Sequence, residues 1–405
     1  MKCIELFSGA GGLALGLDKA GFDHKAVVEW NSDACETIRS NQRRGLKPVS
    51  DWPLHEMDVR QFDYKEFADR IELVAGGPPC QPFSLGGKHQ GFLDERDMFP
   101  QAVRALREVR PKAFVFENVK GLTREVFARY FRYILLQFAH PEFSAKKNEE
   151  WLVHLARLEK YQAQGKFPGL NYQVSSRVLN AADYGVPQRR HRVIMVGFRN
   201  DLGLQWSYPE PTHSYQALMR DQWVSGDYWE RHEVPKKRRP TMPGEIKERM
   251  GFLQTHIDIK PIKPWRTARD AIADLPDPMK KNSRHSFLNH VFMPGAKAYP
   301  GHTGSPLDLP AKTLKAGDHG VPGGENMVVL EDKSVRYFTV RESARLQTFP
   351  DEYFFEGSWT ESMRQIGNAV PVELGQVVAR SVKEKLTGIE TKHGRQRRNA
   401  LQPTR

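Results

Sequence analysis

The segment Ile4-Glu5-Leu6-Phe7-Ser8-Gly9-Ala10-Gly11-Gly12 indicates the fold class, because it joins a short apolar strand to a helix through a glycine-rich turn. That helix is predicted over residues 13–20 and ends at Gly21. A second strand over 26–29 and a second helix over 32–41 follow. This alternation predicts a mostly parallel α/β sheet. Glycines in the turn allow the backbone to bend tightly and to approach a ligand closely.

Later apolar runs extend the sheet. Strands are predicted over 72–75 and 113–116, and a helix over 98–109 precedes the second of them. Residues 172–179 and 192–197 predict an antiparallel hairpin across the loop between them. The charged segment 146–164 predicts a helical insertion, and its residues indicate no chemistry of their own.

The composition of the sequence changes over residues 200–334, where prolines, glycines, histidines and basic residues become frequent. This composition predicts a second, smaller, loop-rich domain. A helical pattern resumes at residue 335 and runs to 386, so the first domain is expected to comprise 1–199 and 335–386. The basic tail 387–405 is expected to be disordered.

Bulk properties narrow the class of protein. The chain has 405 residues, a net charge of +12 and a pI near 9.5. On charge alone, a polyanionic partner such as DNA or RNA and a merely solvated basic surface are about equally good explanations. Three scattered cysteines indicate neither a disulfide framework nor a metal site. Because no apolar run is long enough to span a bilayer and no signal peptide is present, we expect a cytoplasmic protein without membrane contact.

The turn after the first strand is suited to a nucleoside. Glu29, at the end of the second strand, can accept hydrogen bonds from ribose hydroxyls, and Trp30 can cover the adenine face. Asp58, followed by Val59, offers a second carboxylate for the adenine amino group. A purely structural glycine turn and an aspartate that caps a turn remain the alternatives. The spacing differs from G-x-G-x-x-G, which disfavours a nicotinamide enzyme.

A second loop carries a candidate nucleophile. The segment Gly77-Pro78-Pro79-Cys80-Gln81-Pro82-Phe83-Ser84 directly follows the strand over 72–75. Prolines stiffen this loop, and a rigid loop that presents one thiol suits covalent catalysis better than a buried structural cysteine. Glu117 and Asn118 end the neighbouring strand, where a carboxylic acid would lie near Cys80. An ordinary acid at a strand end is the alternative for Glu117.

These motifs resemble those of the DNA cytosine-5 methyltransferases, and they follow that family's order over nearly the whole chain outside residues 200–330. Six segments carry the resemblance: 7–12 (the cofactor turn), 78–81 (the catalytic loop), 117–119 (the acid motif), 188–192 (the Q-x-R-x-R motif), 341–351 (the helix that supports the recognition domain) and 367–371 (the last motif). Any one of them is weak evidence, whereas their common order is specific.

The resemblance implies roles for individual residues. Cys80 would add to C6 of cytosine, Glu117 would donate to N3, and Asn118 would orient the acid or the loop. Arg190 and Arg192 would lie at the active site and hold the base, its phosphate or the loop. The cofactor would be S-adenosylmethionine, which leaves as S-adenosylhomocysteine. Its expected contacts are Phe7, Ser8, Gly9, Ala10, Gly11, Gly12, Glu29, Trp30, Asp58, Val59, Pro79, Asn368 and Val370.

The resemblance also implies an organisation and a substrate. Residues 1–199 and 335–386 would form a Rossmann-like catalytic domain that binds the cofactor, and 200–334 would be the target-recognition domain. The expected partner is double-stranded DNA, bound by a monomer in the nucleoid, with a restriction endonuclease acting on the same site without a stable complex. Two rivals stay open: an RNA methyltransferase of the same fold, although its recognition region is short, and a binding module without catalysis.

Overall fold

The computed structural model describes residues 1–79, 97–165, 168–255, 262–280, 286–316 and 326–400, and beyond residue 388 the backbone alone. The strands are β1 (Lys2–Leu6), β2 (Asp23–Glu29), β3 (Leu54–Glu56), β4 (Leu73–Gly76), β5 (Ala113–Val119), β6 (Tyr172–Asn180), β7 (His191–Arg199), β8 (His213–Ser214), β9 (Lys263–Pro264), β10 (Ser305–Pro306), β11 (Met327–Val329) and β12 (Val335–Tyr337). The helices are α1 (Gly12–Lys19), α2 (Ser32–Arg43), α3 (Phe99–Val109), α4 (Ala128–Ala139), α5 (Trp151–Ala163), α6 (Tyr215–Arg220), α7 (Asp227–Arg231), α8 (Gly244–Glu248), α9 (Met250–Thr255), α10 (Ala268–Ile272), α11 (Val340–Leu346), α12 (Trp359–Asn368) and α13 (Val372–Ala400).

A seven-stranded sheet with the order β3-β2-β1-β4-β5-β7-β6 forms the centre of the molecule. The strands β1 to β5 pair in parallel, whereas β7 runs antiparallel to both β5 and β6. The predicted α/β class and the predicted hairpin are therefore confirmed. The three-residue strand β3 was missed, because so short a run carries no apolar period.

The register of the sheet explains where a site can form. Leu6 of β1 pairs with Gly76 of β4, and Gly76 pairs with Phe116 of β5. The turn after β1, the loop after β4 and the end of β5 therefore open at one edge of the sheet. Ligands of open α/β sheets bind beyond this carboxyl edge.

The described residues between 200 and 334 form short helices and short strands joined by irregular segments, as the composition predicts. One buried cluster is internal to this region: Leu218, Met219, Tyr228, Trp229, Val234, Ile246 and Leu253. Other residues of the region, including Ala271 and Leu314, pack in one core with Ala14 and Phe338 of the first domain. The sequence-based boundary thus passes through a shared core, and the division into two domains stays a prediction.

Two helices complete the fold. The insertion contains α5, whose buried Leu155 and Leu158 pack into the core on the α4 side of the sheet, so the predicted helix is present. The last helix, α13, packs along α1 and continues to Ala400, whereas the sequence predicts that it ends near residue 386. None of the helices in the described ranges is long and apolar enough to cross a membrane.

Candidate active site

The turn after β1 has an unusual backbone. Phe7, Gly9 and Gly11 have φ angles of 56°, 52° and 79°, which lie in the left-handed region. A non-glycine residue there costs about 1–2 kcal/mol, so Phe7 indicates a turn that its surroundings hold in place. Gly11 N donates to Ser8 O (3.0 Å), and the Tyr353 hydroxyl donates to Ala10 O (2.7 Å). The backbone between β1 and α1 is therefore tightly bent and is held in that conformation by hydrogen bonds.

Glu29 fastens the end of β2 to this turn. Its Oε2 accepts from Gly9 N (2.7 Å), and its Oε1 accepts from Trp30 N (3.0 Å) and Asn31 N (2.8 Å). Burial raises the pKa of the Glu29 carboxyl, and these three donors oppose that rise. A carboxylate can accept about four hydrogen bonds, so a ribose hydroxyl would share Glu29 with the backbone. The adjacent Trp30 side chain is 70% exposed, which suits a ring that stacks on a base.

Asp58 caps a turn in the structure, which is the alternative interpretation that the sequence left open. It precedes the short helical turn Val59–Gln61 and accepts from Arg60 N (2.8 Å), as a cap does. Its carboxylate also pairs with the Arg60 guanidinium, which lowers the pKa of Asp58. Val59 is buried in the core. A contact between Asp58 and adenine would have to compete with Arg60, and it stays a prediction.

The last sequence motif lies against the first one. Helix α12 ends at Asn368, whose side chain is exposed, and Val370 is buried just beyond it. A Cβ added at Gly12 would lie 2.4 Å from the carbonyl oxygen of Val370, which is closer than real Cβ atoms approach. Gly12 is therefore required for this contact. Residues some 360 positions apart thus form one wall of the candidate cofactor site.

The base of the second loop is anchored on both sides. Asn118 Nδ2 donates to Pro78 O (2.8 Å), so Asn118 makes the loop contact that the resemblance implies. Met98 N donates to Pro79 O (3.4 Å). Cys80 and the residues Gln81 to Ser84 lie outside the described residues. The other two cysteines are buried thiols: burial raises the pKa of Cys35 to about 12 and also raises that of Cys3, which disfavours the thiolate form that a nucleophile needs.

Glu117 forms a buried ion pair at the mouth of this loop. Its Oε1 lies 2.7 Å from Arg192 Nε, and its Oε2 lies 3.3 Å from a Cβ added at Gly77, three residues before Cys80. Glu117 is only 8% exposed. Burial raises the pKa of the Glu117 carboxyl, although Arg192 and then Arg190 oppose the rise. A carboxyl with a raised pKa that points toward a proline-rich loop is suited to donate a proton.

The comparisons with known proteins identify the family. Residues 1–162 and 150–384 match the family model described as C-5 cytosine-specific DNA methylase. The chain belongs to this family. It is a DNA cytosine-5 methyltransferase, and the fold and the six ordered motifs agree with that membership.

Relatives match this methyltransferase over most of its length. It is 33% identical over 383 residues to the type II methyltransferase M.Eco47II of Escherichia coli, covering 94% of this chain and 78% of the relative. It is 31% identical over 379 residues to M.NgoMIV of Neisseria gonorrhoeae, covering 94% and 96%. The solved structure of S. pombe Dnmt2 methyltransferase superimposes with a TM-score of 0.54 at 18% identity, covering 96% and 99%, which shows the common fold.

Arg190 of the methyltransferase lies near Glu117, but its hydrogen-bond partners differ from those that the resemblance implies. Its side chain is fully buried, and its Nη atoms donate to the carbonyl oxygens of Leu314, Gly367 and Ala369. A guanidinium engaged in this way does not hold a base or a phosphate. Arg192, by contrast, pairs with Glu117. The resemblance implies that the two arginines hold the base, its phosphate or the loop. Both Nη atoms of Arg190 already donate to backbone carbonyl oxygens, which leaves the first two of these tasks unsupported in this arrangement, and the role of Arg192 toward substrate stays a prediction.

Sequence reasoning missed two residues of the site. The Tyr353 hydroxyl supports the cofactor turn, and no sequence signal links it to Ala10, 343 residues away. Arg364 of α12 donates to Asn31 Oδ1 (3.2 Å), and its charge acts on the Glu29 carboxyl. Its position three residues before the last motif is the feature of the sequence that could have identified Arg364 as part of the site.

Proposed function

We propose that the chain transfers a methyl group from S-adenosylmethionine to C5 of a flipped-out cytosine in a specific double-stranded DNA sequence, through a covalent bond between Cys80 Sγ and C6. The observation that carries this proposal is the buried Glu117–Arg192 pair beside Gly77, at the start of the loop that bears Cys80. A buried acid and a thiol on adjacent strand ends are the two groups that this chemistry needs.

Each residue near the loop has a distinct task in this reaction. The Cys80 thiolate forms a bond to C6 and makes C5 electron-rich. Glu117 protonates or hydrogen-bonds N3, which stabilises the charge that develops on addition. Arg192 orients Glu117 through the 2.7 Å contact. The bond from C5 to the methyl group would form as the methyl–sulfur bond of the cofactor breaks, which leaves S-adenosylhomocysteine. Loss of the C5 proton to a base, return of the N3 proton to Glu117 and departure of Cys80 would then restore the aromatic ring.

The residues at the strand ends fit the proposed cofactor. S-adenosylmethionine supplies the electrophilic methyl group of its sulfonium when it is bound. Glu29 and Trp30 would hold its ribose and adenine, and the turn over 7–12 would hold its amino-acid end. Pro79, Asn368 and Val370 would line the remaining walls. The supporting observations are the left-handed turn, the buried Glu29 and the exposed Trp30 ring.

Base flipping and sequence recognition complete the proposal. The target carbon is out of reach inside a stacked duplex, and extrusion of the base costs a few kcal/mol. Residues 200–334 would contact the duplex, with phosphate contacts that position the protein and base contacts that specify the sequence. Binding should therefore weaken steeply with salt. A restriction endonuclease of the same specificity is the proposed cellular counterpart, because several relatives are named type II methyltransferases.

The test of this function is to sequence bisulfite-treated plasmid DNA from cells that express the protein. We expect complete protection of one cytosine in one short recurring sequence, and no protection in cells that express Cys80→Ser. In parallel, purified protein is given radiolabelled S-adenosylmethionine with either duplex DNA or transfer RNA. Label in transfer RNA alone, or protection at scattered cytosines in both cell lines, would contradict the proposal.

The ribose assignment can be tested separately. Glu29→Ala removes a carboxylate that the proposed ribose and the Gly9 amide both use, so we expect affinity for S-adenosylhomocysteine to fall at least about tenfold. Calorimetry measures this affinity, and gel shift measures DNA binding, which should change little. Glu56→Ala is the matched control, because Glu56 pairs with Glu29 across β2 and β3 but its carboxylate binds Arg39. Equal losses in both variants would reject the assignment.

A further inference from the structure

Arg190 is the centre of a buried network that the catalytic proposal does not use. Its Nη1 donates to Leu314 O (3.0 Å), and its Nη2 donates to Gly367 O (2.6 Å) and Ala369 O (3.0 Å). Burial of a guanidinium is costly unless charge-assisted hydrogen bonds replace its water. Arg190 therefore holds together two segments: the one around 314, at the end of the recognition region, and the one over 367–369, at the cofactor site.

Two glutamine side chains reinforce the same junction. Gln188 Oε1 accepts from Leu314 N (3.0 Å), and Gln188 Nε2 donates to Leu346 O (3.2 Å). Gln347 Nε2 donates to Ile366 O (2.7 Å) and Ala369 O (3.2 Å), and its Oε1 accepts from Gln188. Both side chains are fully buried. Because these glutamines bond mostly to backbone atoms, they fix the path of the main chain at residues 314, 346, 366 and 369, whatever side chains those residues carry.

Backbone contacts continue the network to the cofactor turn. A Cβ added at Gly367 would lie 2.5 Å from Ala316 N and 2.6 Å from the carbonyl carbon of Lys315. The backbone at Val370 packs equally closely on Gly12, because a Cβ added at Gly12 would lie 2.4 Å from the Val370 carbonyl oxygen. A continuous line of packed backbone therefore runs from residues 314–316 through 367–370 to Gly12, with Arg190 bonded to its middle.

The far end of this line is clamped by a residue of the recognition region. Asn326 Oδ1 accepts from Lys315 N (3.1 Å), and Asn326 Nδ2 donates to Lys315 O (3.1 Å). Asn326 is buried, and its own carbonyl oxygen accepts from Phe338 N (3.0 Å). The position of residues 314–316 thus depends on Asn326 on one side and on Arg190 on the other.

We propose that Arg190 is a positioning residue that fixes the cofactor turn relative to the end of the recognition region, so that a disturbance at Asn326 weakens cofactor binding without touching the cofactor site. Residues 314–316 would transmit the disturbance through Gly367 and Val370 to Gly12. This inference rests on the proposed function only in taking the turn over 7–12 as the site of S-adenosylmethionine.

The test compares two buried asparagine side chains. Asn326→Ala removes the clamp on Lys315. Asn171→Ala removes hydrogen bonds to Gly169 O (3.0 Å) and to the His140 ring (2.7 Å), next to the edge strand β6 and away from both the Arg190 network and the turn over 7–12. We expect the calorimetric dissociation constant of S-adenosylhomocysteine to rise at least about fivefold for Asn326→Ala, which is the size of a moderate coupling between two sites, and to change less than twofold for Asn171→Ala. Thermal unfolding of both variants checks that they are folded.

A second pair of variants tests Arg190 itself. Arg190→Met should raise the KM for S-adenosylmethionine more than Asn326→Ala does, while Arg190→Lys, which keeps one donor, should restore part of the loss. At saturating cofactor, kcat of Asn326→Ala should stay within about twofold of the original chain, because the network does not touch the reacting base.

Three outcomes would overturn the inference: unchanged cofactor affinity in a folded Asn326→Ala, equal losses in both asparagine variants, or a fall in kcat at unchanged KM. The unmodified chain is titrated alongside them. If it binds no S-adenosylhomocysteine at all, the cofactor assignment itself fails, and that result is visible before any variant is compared.

Discussion

Cys80→Ser is expected to abolish methyl transfer while duplex binding persists. A serine hydroxyl has a far higher pKa than a thiol and is a weak nucleophile without a neighbouring base, so addition to C6 should stop. We expect kcat to fall by about 10³-fold or more, the scale on which loss of a covalent nucleophile acts. Transfer of radiolabelled methyl groups to duplex DNA measures turnover, and a gel shift measures binding. Near-normal turnover would reject Cys80 as the nucleophile.

A mechanism-based trap separates covalent catalysis from other effects of the substitution. Duplex DNA that carries 5-fluorocytosine at the target should form a stable adduct, because fluorine cannot leave as a proton does. Intact-mass analysis should show the adduct with the original chain and with Cys35→Ala, whose thiol is buried, and should show none with Cys80→Ser. An adduct that survives Cys80→Ser would assign the nucleophile elsewhere.

The sequence could predict the edge of the sheet at which the site lies, because that edge follows from local patterns. The strand, glycine turn and helix over 4–20 were visible from alternation alone. The β6–β7 hairpin was also visible, but the pairing of β7 with β5 was not, and this second pairing places Arg192 opposite Val119 and diagonal to Glu117. Diagonal neighbours on one face of a sheet are within reach of long side chains, so the Glu117–Arg192 pair follows from the β5–β7 register, which the sequence pattern does not predict.

The position of Arg190 could not be predicted in the same way. Strand alternation would place Arg190 and Arg192 on one face, but β7 begins at His191, so Arg190 lies before the first residue to which alternation applies. Its hydrogen-bond partners are backbone carbonyls more than 120 residues away, and a carbonyl carries no sequence signal. The shared core between residues 265–330 and the first domain was hidden for a similar reason, since apolar residues do not specify their partners.

The acid at position 117 should matter nearly as much as the nucleophile. Glu117→Gln keeps the shape and a hydrogen-bond donor but cannot transfer a proton to N3, so we expect kcat to fall by about 10²- to 10⁴-fold. The protonated form of Glu117 is the active one, so kcat/KM of the original chain should fall as pH rises through the pKa of this carboxyl. Burial raises that pKa, which places the fall at a higher pH than for an ordinary glutamate. The glutamine variant should lack this limb of the profile.

Arg192→Met gives the matched variant for this assignment, because it keeps the carboxyl group of Glu117 and changes its pKa, whatever it does to the absolute rate. Arg192 favours the ionised carboxylate, so its loss should raise the pKa of Glu117 further and move the limb to higher pH. Rates on duplex DNA across a pH series at saturating cofactor measure the position of the limb. If the limb persists in Glu117→Gln, or moves to lower pH in Arg192→Met, another group donates the proton and Glu117 serves only to hold Arg192.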